Sequence, residues 1–293
     1  MTDIRPLNFG EILDGALVIY RRHFGLFLKL AVIVLAVPVV LLAYLGVRWL
    51  AAFTAAAQSP GALTQSMGAL LLIFPVVILY YLASLVLTAG TVRIISDSYL
   101  GRSPRLADAL SLGLSKLWGL VIVGLGKGII LFLVMLAISV VVAIMGMMTR
   151  AAGAVGVVLL VAAGLAGVWL VFFILCGYGV TTPVLVLEEL TSSFDAFGRS
   201  WELTRSFRGK VFGVGAVAFL LFNAVPSWVL QGLSAAARGS LPGLSVGLAA
   251  LATVVPTLLT PAVAAVIVLM YYDLRVRREA FDLQVLSRQL GII

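Results

Sequence analysis

Six long apolar runs constrain the fold of this chain more than any other feature of its sequence. An α-helix needs about 20 residues to cross roughly 30 Å of hydrocarbon, and each run is at least about that long. Only 11% of the residues are charged, whereas soluble domains carry about 25%. The runs therefore predict an all-α membrane protein with six transmembrane helices. These lie near Leu26–Leu50, Ala69–Ile95, Val121–Met147, Ala154–Tyr178, Val211–Leu230 and Val246–Tyr272.

A charged amphipathic stretch, Thr191 to Lys210, leads directly into the fifth run. Ser192 is a suitable N-cap for it, with Asp195 three residues later as a short capping box. The pattern is typical of a helix that lies in the bilayer interface, and the alternative is a cytosolic helix that packs on the bundle. At 100° per residue its apolar face carries Phe194, Phe197, Trp201 and Thr204, and its polar face carries Asp195, Arg199, Glu202 and Ser206.

Two further stretches have the same arrangement of a cap, an amphipathic segment and a glycine. The first runs from Asn8 to Gly25 and the second from Ser103 to Gly119, where Pro104 fits the first helical position. The apolar face of the second is predicted to carry Leu106, Leu110, Leu114, Leu117 and Trp118.

Because each amphipathic segment precedes two spans, the sequence predicts a single domain, 1–293, built of three tandem units in the same orientation. The units cover about 8–97, 103–190 and 192–275, and a short cytosolic tail, 276–293, carries a last short helix. The alternative is a membrane protein with short cytosolic helices and no repeat.

The connecting segments are predicted from turn residues. A loop at Ala51–Gly68 turns at Ser59-Pro60-Gly61, a tight turn lies near Thr149–Gly153, and a third loop covers Ser234–Gly243. The first apolar run is about 25 residues long, whereas the apolar part of a signal peptide has about 7–15, so no cleavage is expected.

Charge sorts sharply if both termini and the amphipathic segments share one side of the membrane. The far side then receives only Arg48, Arg150 and Arg238 of the 20 basic residues, and all 12 acidic residues lie on the near side. By the positive-inside rule the near side is cytoplasmic, which predicts a multi-pass protein of a prokaryotic cytoplasmic (inner) membrane with both termini inside. The basic residues flank spans rather than cluster, which disfavours nucleic acid as a partner and favours anionic lipid. Predicted lipid contacts are Arg21, Arg22, Lys116, Arg199, Arg205, Arg208 and Lys210.

Few residues offer chemistry. His23, the only histidine, lies on the apolar face of the first amphipathic segment, and Cys176 lies inside an apolar run as a small hydrophobe. A catalytic triad or a multi-histidine metal site would have to be built on His23 alone, so we expect no metal and no cofactor.

Five polar residues remain candidates for function. Lys127, in Gly124-Leu-Gly-Lys-Gly128, is the deepest charge; it either serves a pathway or snorkels to the interface, and the glycines do not complete a phosphate loop. Glu188 and Glu189 are paired carboxylates, helix-end charges at the interface, or partners for Arg199 or Arg93, and the last two roles are favoured. The other two are Asn223, which with Pro226 could open the third hairpin, and Asp273, which marks the membrane exit.

Three segments resemble a bacterial family of integral membrane proteins of unknown function that is labelled after the membrane domain of glycerophosphoryl diester phosphodiesterases. They are Phe9–Gly25, Val184–Arg205 and Tyr271–Leu283. The resemblance implies a six-helix membrane domain and no established activity. Phosphodiesterase catalysis belongs to a separate soluble barrel domain, and no catalytic residue of that domain has a counterpart here.

Three functions fit these observations. The first is a non-catalytic scaffold, accessory subunit or lipid-organising component, which would contact membrane lipids and other membrane subunits or a second copy of itself. The second is a transporter or lipid-handling permease with a pathway between the three hairpins. The third, less favoured, is an enzyme that acts on a lipid headgroup through Glu188, Glu189 or Asp273.

Overall fold

The computed structural model describes residues 5–56, 61–239 and 241–279, and this part of the chain is helical with no strand. The helices are α1 (Phe9–Ala56), α2 (Gly61–Tyr99), α3 (Leu106–Ser115), α4 (Leu117–Gly177), α5 (Thr181–Leu187), α6 (Asp195–Thr204), α7 (Arg208–Phe219), α8 (Val225–Ala237) and α9 (Pro242–Glu279), and a π-helical turn (Leu220–Ala224) joins α7 to α8.

Six helical stretches are long and apolar enough to span a membrane, which confirms the all-α fold with six spans. The stretches are Phe9–Trp49, Leu71–Tyr99, Leu117–Thr149, Gly153–Leu187, Arg208–Ala237 and Gly243–Glu279. They are buried very unequally. In the most apolar part of the sixth span 47% of the residues are buried, whereas in that of the third span none is. The core therefore lies around α9, which packs against α1 and α2, and the third span presents its surface to the surroundings.

The amphipathic segments end two or three residues earlier than predicted. Instead of breaks at Gly25, Gly119 and Gly209, the backbone leaves helical geometry at His23 (φ −115°, ψ 17°), Lys116 (φ −92°, ψ 3°) and Phe207 (φ −125°, ψ 19°). The three glycines lie inside helices. In lipid a backbone keeps its own hydrogen bonds, so a glycine at the start of a span does not break the helix as it would in water.

The second amphipathic helix differs from the prediction in its start. Helix α3 begins at Leu106 after an extended Arg105, so Ser103 is not its cap and Pro104 is not its first residue. The preceding turn explains the delay. Gly101 (φ 73°) closes α2 in a Schellman motif, with N–H groups of Gly101 and Arg102 bonded to the carbonyls of Ser98 and Asp97.

The predicted apolar face of α3 is confirmed at Leu106 and Leu110, which are partly buried against the core, and is wrong at Leu114 and Trp118, which are exposed. The fully buried residues of α3 are Ala109 and Gly113. A Cβ at Gly113 would lie 2.8 Å from the carbonyl oxygen of Val86, so α3 lies directly on the backbone of α2. Small residues, rather than the leucines, allow this close approach.

The turn inside the second hairpin is confirmed. Gly153 has φ 57° and ψ −130°, a conformation open only to glycine, and it reverses α4 between the third and fourth spans. The other two loops are shorter than predicted, because α1 continues to Ala56, α2 begins at Gly61, and α8 continues to Ala237. Alanine is the best helix former, and the alanine-rich ends of α1 and α8 extend both helices. Ser59, Pro60 and the last short helix near 281–286 lie outside the described residues.

Candidate functional site

The last two turns of α9 carry the densest set of polar contacts in the described part of the chain. Tyr271, Arg275 and Glu279 follow one another at intervals of four residues, as do Asp273 and Arg277, so each set shares a face of the helix. We call the group formed by these residues and the partners described below the α9 network.

Asp273 is fully buried and is the first centre of the α9 network. Its carboxylate accepts hydrogen bonds from Lys210 Nζ (2.6 Å), Arg277 Nε (2.9 Å) and the backbone N–H of Leu7 (2.8 Å). Lys210 and Arg277 also donate to the Leu7 carbonyl, at 2.7 and 3.0 Å. The segment before α1 is thus fixed to α7 and α9. The prediction that Asp273 marks the membrane exit missed this contact across 266 residues.

Glu188 is the second centre. Its carboxylate accepts hydrogen bonds from Arg199 Nε (3.1 Å) and from the Tyr271 hydroxyl (2.8 Å). Arg199 also pairs with Glu279, which in turn accepts from Arg275 Nε at 3.0 Å. Arg275 donates to the Tyr271 hydroxyl at 3.2 Å and closes the ring. The predicted partnership of Glu188 with Arg199 is confirmed, and Arg93 pairs instead with Asp97 at 2.9 Å.

Charges in this ring balance one another. Burial alone would lower the pKa of the Arg199 guanidinium, but the carboxylates of Glu188 and Glu279 outweigh burial and raise that pKa above its ordinary value. Every carboxylate oxygen of Glu188 and Asp273 accepts at least one hydrogen bond. These contacts join α6 and α7 to the end of α9.

Glu189, predicted with Glu188 as a candidate pair, differs from it in exposure. Its side chain is exposed, whereas that of Glu188 is 14% exposed within the ring. The two carboxylates are thus adjacent in sequence but occupy different environments.

Helix α2 is fixed to the same end of α9 by uncharged groups. The Tyr272 hydroxyl lies 2.6 Å from Ser96 Oγ, and the Tyr99 and Tyr272 rings stack with their centres 5.0 Å apart. Helix α2 also contacts α1 here. His23 Nε2 of α1 lies 2.9 Å from Ser98 Oγ of α2, so the imidazole has a polar partner.

Helix α6 docks beside this network on the C-terminal end of α4. Ser200 Oγ donates to the Gly177 carbonyl at 2.9 Å, and a Cβ at Gly177 would lie 2.4 Å from the Trp201 ring. Phe197 packs edge-on to Tyr178, with ring centres 5.3 Å apart, but Phe194 is exposed. The predicted capping is partly present, since Asp195 accepts from the Ser192 N–H at 2.8 Å.

Lys127 lies away from the α9 network. Its Nζ is 3.4 Å from Thr182 Oγ1, and none of the described carboxylates forms an ion pair with it. Two of the glycines around it serve packing, because a Cβ at Gly124 would meet the Tyr81 hydroxyl at 2.2 Å and a Cβ at Gly126 would meet the Phe197 ring at 2.7 Å. The third, Gly128, has open space around it.

Asn223 lies in the π-helical turn, three residues before Pro226. Ser227 Oγ donates to the Asn223 carbonyl at 2.7 Å, which helps to satisfy a backbone where the regular ladder is interrupted. The structure has a local change of helix type at this position, and α8 still packs against α9. Such π-helical turns are frequent at functional sites, and opening of the hairpin stays a prediction.

The predicted lipid-contacting cations fall into two groups. Arg199 and Lys210 are bound to carboxylates of the protein, as described above. The other five form no ion pair with the described carboxylates. Three of them, Arg21, Arg22 and Arg205, are exposed, and the remaining two, Lys116 and Arg208, are half-buried.

Sequence reasoning missed Tyr271, Arg275 and Arg277 as members of the site. The spacing of four residues along α9 was the available signal, since it places opposite charges on one helical face. No protein-family model, curated protein or solved structure matches the chain. The resemblance of its two ends and of Val184–Arg205 to the membrane-protein family stays a prediction.

Proposed function

We propose that this chain is a non-catalytic component of a prokaryotic cytoplasmic membrane, where it organises lipid or supports another membrane protein. The bare third span is the observation that carries the proposal. Its most apolar part has no buried residue, and side chains such as Phe132 (66% exposed) are available to lipid or to a partner helix. The α9 network supports the same role, because its acidic groups are already bound to protein cations.

Photo-crosslinking tests this role. A photoreactive amino acid at Phe132 should give a discrete adduct, with a lipid or another chain, in native membranes. The same amino acid at Leu71 of α2, which is 77% exposed, is the matched control and should give only the random lipid background. Identical adducts at both positions would contradict a specific role for the α4 hairpin.

We further propose that the chain consists of three tandem units whose amphipathic segments lie on the cytoplasmic side. Three matching bends support the repeat: His23, Lys116 and Phe207 share nearly the same backbone conformation and each precedes a span. Exposed Arg21, Arg22 and Arg205 then face the anionic leaflet, where each basic residue contributes on the order of 1 kcal/mol. Replacing the three with glutamine should lower the share of anionic lipid that co-purifies with the protein, and an unchanged profile of co-purifying lipid would contradict the lipid contact.

A transporter or lipid-handling permease is the second candidate, and Lys127 favours it. An ionisable residue in a span without an acidic partner is a functional candidate, and the π-helical turn at Asn223 adds a second irregularity. The 600 Å³ groove between α4, α7 and α9 is lined by neither residue. The test is flux of a solute or lipid in proteoliposomes. Flux that disappears in Lys127→Met but persists in the control, Lys116→Met, would favour transport over the structural role.

A further inference from the structure

Arg208, the first residue of α7, has surroundings unlike those of the other cations near α9. Its guanidinium carbon lies 3.8 Å from the ring centre of Phe173 and 4.1 Å from that of Trp201. The two ring planes are inclined by 79°, so the guanidinium sits in the corner that the rings form. Both contacts are cation–π interactions, which orient the group without neutralising its charge.

The charge of Arg208 has no counter-charge in the described part of the chain. Arg199, Lys210 and Arg275 each pair with a carboxylate, whereas no described carboxylate pairs with Arg208. Its Nε is buried and has no hydrogen-bond partner. A guanidinium stays charged at any relevant pH, and the Arg208 side chain is only half-buried, so the corner is suited to an anion from outside the chain.

Phosphate is the anion that fits this place best. Arginine presents a planar fork of donors that matches phosphate oxygens. The partial positive charge at the start of α7 lies at the same point and adds to the attraction. Arg208 also begins the fifth membrane span, the level at which lipid headgroups lie.

An apolar groove begins one turn beyond Arg208. Val211 and Phe212 form part of its wall, and the groove continues between α4, α7 and α9 with a volume of about 600 Å³. Its lining consists of apolar side chains and glycines, and Gly179 and Gly215 leave it wide. This volume is in the range of about 300–1,000 Å³ that small-molecule sites have in proteins.

We propose that the corner and the groove bind one anionic phospholipid, with its phosphate on Arg208 and an acyl chain in the groove. A phospholipid is the occupant that satisfies both parts, because it joins a phosphate directly to an apolar chain. The proposal deepens the lipid-organising role and rests on it, since it names a site and a ligand class for that role.

Binding to the purified, delipidated full chain tests the corner. Dioleoylphosphatidylglycerol is titrated and the complex is counted by native mass spectrometry. The wild type should bind one lipid tightly, and Arg208→Gln should weaken that binding at least tenfold. Arg208→Lys should fall between them, because an ammonium lacks the planar fork. Arg105→Gln, which removes an exposed arginine that is not among the predicted lipid contacts, should stay within twofold of the wild type.

A second variant tests the groove and leaves the corner intact. A Cβ at Gly215 would have no atom within 4 Å, so Gly215→Leu can fill the groove without a clash and should also weaken binding at least tenfold. Gly247→Leu, at an exposed glycine of α9 with equally open space, is the control and should bind as the wild type does.

Three results would overturn the proposal: wild-type affinity in Arg208→Gln, wild-type affinity in Gly215→Leu, or displacement of the lipid by inorganic phosphate at an equal concentration. The crosslinks at Phe132 distinguish this failure from failure of the proposed function. If they persist while the Arg208 site fails, the structural role stands without this lipid.

Discussion

Lys210 Nζ lies 2.6 Å from Asp273 Oδ2, and this pair joins the start of the fifth span to the end of the sixth. The Asp273 side chain is fully buried and that of Lys210 is 19% exposed, so water offers the two charges little compensation. The same lysine donates to the Leu7 carbonyl, and the pair therefore also fixes the beginning of the chain.

Asp273→Asn should destabilise the protein by about 3 kcal/mol, because it leaves the Lys210 charge buried without its partner. The free energy of unfolding in mixed micelles is the measurement. Lys210→Met combined with Asp273→Asn should recover part of the loss, because it removes the unpaired lysine charge. Arg277 still loses its partner but is 28% exposed. Asp108→Asn, at an exposed position in α3, is the control, and a loss as large as that of Asp273→Asn would contradict this role.

Glu188→Gln and Glu189→Gln form a matched pair of neighbouring substitutions. The first removes a carboxylate bound to Arg199 and Tyr271 and should cost about 2 kcal/mol, whereas the second changes an exposed side chain and should stay within about 0.5 kcal/mol. Unfolding of the two purified variants checks both values. Loss of lipid-headgroup turnover in Glu188→Gln at unchanged stability would instead favour the enzyme hypothesis.

Gly126→Ala and Gly128→Ala test the origin of the glycine-rich stretch. The first places a methyl group 2.7 Å from the Phe197 ring and should destabilise by about 1 kcal/mol. The second meets no atom within 4 Å and should be neutral or stabilise by about 0.5 kcal/mol through helix propensity. Thermal unfolding distinguishes them, and equal effects would argue against packing as the reason for Gly126.

Gly153→Ala should destabilise the second hairpin by about 2 kcal/mol, because φ 57° with ψ −130° is strained for any side chain. Gly146→Ala is the control, since Gly146 is helical and a Cβ there meets no atom within 4 Å. Protease accessibility of the hairpin and unfolding both report the change. Equal stability of the two variants would mean that the turn does not need glycine.

The proposed orientation is tested by cysteine labelling in a Cys176→Ala background. Cysteines that replace Arg48 and Arg238 should react with a membrane-impermeant maleimide in intact cells, whereas cysteines that replace Arg102 and Arg205 should react only after lysis. Arg48 and Arg238 are predicted to share the outer side of the membrane, and Arg102 and Arg205 the cytoplasmic side. Labelling of the Arg205 position in intact cells would invert the topology.

The spans were predictable because length and apolarity suffice to identify a transmembrane helix, and local pairs were predictable from short spacing. Ser192 and Asp195 illustrate the second case, with the Ser192 N–H bonded to the Asp195 carboxylate at 2.8 Å. The contact of Asp273 with Leu7 was not predictable, because nothing in the sequence near either residue names a partner 266 positions away.

The corner around Arg208 was equally hidden. A single arginine before an apolar run is expected to face lipid headgroups, and only the docking of α6 brings Trp201 beside Phe173 to shape its surroundings. The small residues on α3 were missed for a related reason. The buried face was predicted from the apolar stripe of the helix, whereas close contact of two helices depends on where side chains are absent, as at Gly113.

Helix α9 is made last among the described helices, yet it supplies the partners for α5, α6 and α7. Until it enters the bilayer, Lys210 lacks its carboxylate partner, and the pair of Glu188 with Arg199 lacks Tyr271 and Glu279. We therefore expect an Asp273 variant to be degraded by membrane quality-control proteases during biosynthesis, whereas a variant at exposed Phe132 of the third span should accumulate as the wild type does.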